Sequence, residues 1–140
     1  MFLIDTNVVS ELMTPEPNVH VLEWFAFQEA HCLALTTIGI AESLVGIQRL
    51  PEGRTKSDLR NNFEKFRSLI KPSMILPFDE RAAYAFAQVC QRRKSCGLHI
   101  DHADAQIAAI ASVHGATIVT RNIQHFVEAG PDLLNPFAPA

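Results

Sequence analysis

Three carboxylates in this chain stand among residues that do not usually surround a solvated charge. Asp5 ends the apolar run of "FLIDTN", Glu42 lies inside "TTIGIAESLVGI", and Asp104 lies in "DHADAQIAAIA". Each has an ordinary explanation taken singly. An aspartate before Thr6 and Asn7 is turn chemistry, Glu42 suits an exposed helix edge, and Asp101 with Asp104 has the spacing of a capping box. Taken together they point elsewhere. Carboxylates packed within ~5 Å repel by roughly 3 kcal/mol per pair at an effective dielectric near 20. A fold that gathers three of them needs a cation or a shared proton. All-oxygen ligation suits Mg2+ or Mn2+ rather than Zn2+. Such an ion lowers the pKa of a bound water and stabilises charge on a phosphodiester during in-line displacement.

The elements that must position these acids alternate between short apolar runs and helical patterns. Residues 2–5 read as a buried strand, with Thr6 as N-cap of a helix through "NVVSELM" that "TPEP" stops. Asn18 caps "VHVLEWFAFQEA", apolar around most of its circumference and so expected to be well buried. "CLAL" is a second strand, and Thr36 or Thr37 starts the helix that carries Glu42. After the loop "LPEGRTKS", a helix over 54–70 has the stripe Leu59, Phe63, Phe66 and Ile70. "SMILPF" is a third strand, and Asp79 caps a helix that Gly97 closes. Asp101 opens the helix of Asp104, which Gly115 ends. "ATIVT" is a fourth strand, followed by a short helix through Phe126 and a last strand near "DLL".

Alternation of this kind predicts a three-layer α/β/α domain over residues 1–140, with a mostly parallel central sheet of four to five short strands. In such sheets the carboxyl ends of the strands form the binding edge. Asp5 ends the first strand there, and Thr120, Arg121 and Asn122 end the fourth.

Bulk properties agree with a compact domain. Hydrophobic residues make up 48% and charged residues 19% of the 140 residues. The net charge of −3 argues against a nucleic-acid coat protein but not against an enzyme whose acids hold metal. Basic residues gather at Arg54, Lys56, Arg60, Lys65 and Arg67, and again at Arg92, Arg93 and Lys94; both groups read as solvated helix faces. Asp5 interrupts the apolar start too early for a signal peptide, and no run approaches the roughly 20 apolar residues that span a bilayer. Cys32, Cys90 and Cys96 lack CxxC spacing and read as reduced, mostly buried thiols of a cytoplasmic protein. His99 and His102 in "HIDH" have metal-like types without a third partner, and read as a capping segment. GxGxxG, GxxxxGK[ST] and GxSxG motifs are absent.

"FLIDTNVVSEL", "TTIGIAESLVGI" and "DHADAQIAAIASVHGATIVTRNIQHF", in that order, resemble the PIN-domain family, most closely the VapC-type toxins of its FitB-like branch. "NPF" near the end resembles the family's closing "NPW". The resemblance implies a Mg2+- or Mn2+-dependent ribonuclease. It also implies a homodimer that a cognate antitoxin protein inhibits, and allows a higher oligomer with that antitoxin. It places Asp5, Glu42 and Asp104 on the metal-binding acids, Thr6 and Asn7 after the first acid, and Thr120 at the hydroxyl before the last site. Asn122 is expected to orient ligands or the RNA substrate alongside Thr6 and Asn7. The chain departs from the pattern where many members carry a fourth acid, for those positions hold Asn122 and His125. One well-held ion and a weak or empty second site are expected.

Two rival readings differ in class. A haloacid-dehalogenase-like phosphatase also begins with a strand and an aspartate, but needs a second aspartate two residues on, where this chain has Asn7. A catalytically weakened PIN fold that only binds a partner is the non-enzymatic alternative.

Overall fold

The computed structural model describes residues 1–139. Five strands form one sheet in the order β3-β2-β1-β4-β5: β1 (Phe2–Ile4), β2 (Leu33–Thr36), β3 (Ile75–Leu76), β4 (Thr117–Val119) and β5 (Leu133–Leu134). Every pairing is parallel. β1 is central because it is buried on both faces. Leu3 points into one core with Ala34 and Ile118, while Ile4 points into the other with Leu35 and Val119. This is the period-2 alternation of a strand covered on both sides.

Helices α1 (Thr6–Leu12), α2 (Val19–Ala26) and α4 (Arg54–Leu69) cover the Ile4 face, seating Val8, Val9, Val21 and Phe63. Helices α5 (Glu80–Ser95) and α6 (His102–His114) cover the Leu3 face, packed along each other through Val89, Ala105, Ala108 and Ala109. The small residues of α6 let it lie close to the sheet with almost no solvent-facing apolar surface. Helix α3 (Thr37–Gln48) follows β2, and the short α7 (Ile123–Phe126) follows β4.

Several boundaries differ from the sequence expectation. Asp5, not Thr6, is the N-cap of α1: its Oδ1 accepts from the Thr6 amide at 2.9 Å. Helix α2 ends at Ala26, and a 3-10 turn at Ala30–Cys32 leads into β2. Its apolar circumference is not buried, since Val21 packs inward while Val19, Leu22 and Phe27 (85% exposed) face out. β3 shrinks to two residues because Pro72–Met74 form a 3-10 turn first. Asp101 flanks α6 without a side-chain cap bond and instead meets His99 Nε2 at 3.2 Å, so no capping box forms. None of the cysteines is buried. Lys56 and Arg93, read as solvated, are both buried. Arg93 donates to the carbonyls of His99, Gln124 and Val127.

Candidate metal centre

Register builds the site. β1 pairs with β4 as Leu3 to Ile118 and Ile4 to Val119, so the next step sets Asp5 beside Thr120. On its other side β1 pairs Leu3 with Ala34, and the same two steps set Asp5 alongside Thr36. Neighbouring strands whose connections run in opposite directions meet at β1 and β4, the switch point where parallel sheets open a crevice.

Asp5 is only 6% exposed. Its Oδ1 accepts from the Thr6 amide; its Oδ2 accepts from Asn7 Nδ2 at 2.9 Å and Thr120 Oγ1 at 2.8 Å. Asn7 Nδ2 also reaches Thr120 Oγ1 at 3.2 Å, and Asn7 Oδ1 accepts from the Arg121 amide at 3.1 Å. Thr120 Oγ1 in turn accepts from the Asn122 amide at 3.0 Å. This closed network ties the ends of two strands together and leaves Asp5 a single orientation. Burial pushes the Asp5 carboxyl above its ordinary range, and the bonds from Thr120, Thr6 and Asn7 pull it partly back.

Glu42 arrives from α3. Thr36, at the end of β2, caps that helix through Gly39 N–H to Thr36 Oγ1 at 2.8 Å, which sets the helix start at the sheet edge. Gly39 has no side chain where Thr6 approaches; a Cβ there would stand 3.3 Å from Thr36 Oγ1 and 3.6 Å from Thr6 Oγ1. Thr6 Oγ1 donates to Glu42 Oε1 at 3.0 Å. Glu42 is exposed as a residue, yet loss of water at its carboxyl end raises its pKa; the Thr6 bond opposes this and the Asp5 charge adds to it. Asp104 lies in the first turn of α6 with an 18% exposed side chain, its Oδ2 3.4 Å from His125 Nδ1. Burial first and the Asp5 charge second push it up to about 6, against the pull of His125.

The structure thus brings Asp5, Thr6, Asn7, Glu42, Thr120 and Asp104 to one edge of the sheet. Asn122 contributes its main-chain N–H and its side chain is not part of the network. Thr6, Asn7 and Thr120 orient Asp5. The contact of His125 with Asp104 was not anticipated; the one signal in the sequence was its place among the "TRNIQHF" residues. The donor chemistry fits a hard divalent ion, because the three carboxylates are all-oxygen donors, each is raised by burial, and Glu42 and Asp104 are raised further by the Asp5 charge. As they stand, no three His, Cys, Asp or Glu side chains of the described residues gather at ligand spacing. Glu42 is tied to Thr6 and Asp104 to His125.

Residues 2–130 match the PIN domain. This chain belongs to the PIN-domain family. It is 40% identical over 137 residues to the plasmid stability protein StbB of Pseudomonas syringae pv. tomato, covering 98% of this chain and 99% of that one. It is 36% identical to the VapC ribonuclease Y4jK of Sinorhizobium fredii over the whole of both chains. Among solved structures, FitAB bound to the IR36 DNA fragment superposes with a TM-score of 0.93 at 35% identity, over 100% of this chain and 98% of that one. These likenesses bear out the expected three-layer PIN fold. No helix among the described residues is long and apolar enough to cross a membrane.

Proposed function

We propose that this protein is a metal-dependent endoribonuclease and the toxin of a bacterial toxin–antitoxin pair, working in the cytoplasm as a homodimer. The observation that carries the reading is the Asp5 cradle beside Glu42 and Asp104. A buried carboxylate held by three donors, next to two more whose pKa values are raised, is an arrangement that a cation relieves. The full-length similarity to a VapC ribonuclease supports RNA as the substrate.

Asp5, Glu42 and Asp104 would hold Mg2+ or Mn2+, which when bound supplies charge stabilisation at a phosphodiester and acidifies an attacking water. The chain's own groups do the rest. Thr120, Asn7 and Thr6 fix Asp5; Thr6 Oγ1 holds Glu42; His125 Nδ1 steadies Asp104 Oδ2. An acidic cleft of this kind is also a target for a cationic side chain of an inhibitor, which would pair with the carboxylates and exclude substrate. The cognate antitoxin is the expected source of that side chain.

Two observations favour a second reading, a partner-binding PIN module with weakened chemistry. Both fourth-acid positions are non-acidic, and the described side chains do not gather at ligand spacing. Thermal unfolding with and without millimolar Mg2+ or Mn2+ separates the two. A ligand that binds only the folded chain raises its melting temperature by mass action. The parent should gain stability and cut RNA, and Asp5→Asn should lose most of the gain and all cleavage. An unchanged melting curve in metal, with cleavage retained by the variant, overturns the enzyme reading.

A further inference from the structure

The "NPF" segment takes no part in holding the acids, yet it has a definite relation to them. All strands are parallel, so the residues that follow β4 and β5 emerge at the same edge as Asp5. The Thr120 amide donates to the Leu134 carbonyl at 2.9 Å, which locks these two exits side by side. Asn135 Oδ1 then accepts from the Phe137 amide at 2.9 Å, a tight turn around the buried Pro136. The turn presents the half-buried Phe137 ring, and the Arg121 guanidinium lies over it with Cζ 4.6 Å from the ring centre. The Arg121 main chain is pinned from the other side by Asn7 Oδ1, the same amide that holds Asp5.

Arg121 is exposed and makes no ion pair among the described residues, and no lysine or arginine pairs with Asp5, Glu42 or Asp104. Arg121 thus follows the Asp5 donor Thr120 directly, with its main chain tied to the network and its guanidinium, resting on Phe137, paired with no acid among the described residues. A guanidinium stacked on an aromatic face keeps its N–H edge free, and that edge matches phosphate oxygens in a bidentate fashion. A polyanionic strand brought to three carboxylates needs such a contact to offset repulsion.

We propose that Arg121, mounted on Phe137 by the Asn135–Pro136 turn, binds a backbone phosphate of single-stranded RNA next to the one held at the acids. This rests on the ribonuclease reading and adds a substrate contact to it. The guanidinium is placed by its ring before the strand arrives, so little side-chain freedom is lost on binding.

The test measures affinity for a short labelled oligoribonucleotide across a salt series, in an Asp5→Asn chain so that the strand stays intact. Arg121→Gln should weaken binding roughly tenfold at low salt, as expected for a lost charge-assisted bond. It should also flatten the log–log salt slope by about 0.7, the value for one phosphate contact to a single strand. Arg121→Lys should keep the slope and lose part of the affinity. Phe137→Leu keeps an apolar plug but removes the π face, and should weaken binding roughly two- to fivefold with the slope retained. A purely structural role would move the melting temperature and leave the slope alone. Should the chain with Arg121 intact bind RNA, and Arg121→Gln match it in affinity and slope, this inference falls while the ribonuclease reading stands. If the chain without any substitution neither binds nor cuts RNA, the ribonuclease reading falls and takes this inference with it.

Discussion

Replacing Asp104 by asparagine should make the protein more stable, not less. Its carboxyl is raised from 3.8 to about 6, chiefly by burial and then by Asp5. A raised folded-state pKa means that the unfolded chain gives up the proton more readily. The stabilising share of this group is fully present below its unfolded pKa and is lost as pH rises through about 6. A shift of this size corresponds to at most about 3 kcal/mol. The carboxyl is partly in contact with solvent, and screening brings the expectation down to about 1–2 kcal/mol. The loss of the His125 contact at 3.4 Å opposes the gain but is already contained in the net upward shift. Asp104→Asn should therefore gain about 1–2 kcal/mol near neutral pH in a chelating buffer, or about 3–8 °C in melting temperature. The gain should shrink steadily as pH falls toward 4, where the folded-state carboxyl is protonated. Urea unfolding at a series of pH values measures it. A variant less stable than the parent at neutral pH, or a difference that does not change with pH, refutes the account of Asp104 as a strained acid.

Two further outcomes follow from the same network. Thr120→Val keeps the volume of a fully buried side chain but removes a donor to Asp5 and an acceptor for the Asn122 amide. It should cost about 2–4 kcal/mol near neutral pH, less where Asp5 is protonated, and a neutral result in urea unfolding would show that the cradle does not hold Asp5. Asn122→Asp or His125→Asp restores negative charge at the fourth-acid positions. At least one of the two should tighten Mn2+ or Mg2+ binding by calorimetry and speed RNA cleavage, since hard-ion affinity follows carboxylate count. If both bind metal no better than the parent, the absent acid does not limit the site.

What could be read from the sequence was set by local pattern. Asp5 was legible because an apolar run ends abruptly in an acid, and the parallel sheet because apolar runs alternate with helices too short for anything but crossovers. The bond between Asp5 and Thr120 was not, because it depends on the β1–β4 register and joins residues 115 positions apart. Arg93 misled for the opposite reason. Within Arg92-Arg93-Lys94 it looks like the solvated end of a helix, and only the return of the chain after β4 supplies the Gln124 and Val127 carbonyls that bury it. Helix α2 carried enough apolar residues to suggest full burial, yet one face alone meets the sheet, and Phe27 is left on the surface.

The place of β1 in the middle of the sheet has a consequence for the chain as it is being synthesised. Asp5, Glu42 and Asp104 have all been added before β4 exists, and β1 can pair with β2 as soon as residues 33–36 are free. Until Thr117–Val119 emerge, one edge of β1 remains open, and Asp5 lacks the hydroxyl of Thr120. A nascent chain halted after Asp104 but before Thr117 holds all three acids and lacks the strand and the hydroxyl that fix Asp5. Emergence of the last strands is thus the event that completes the Asp5 cradle.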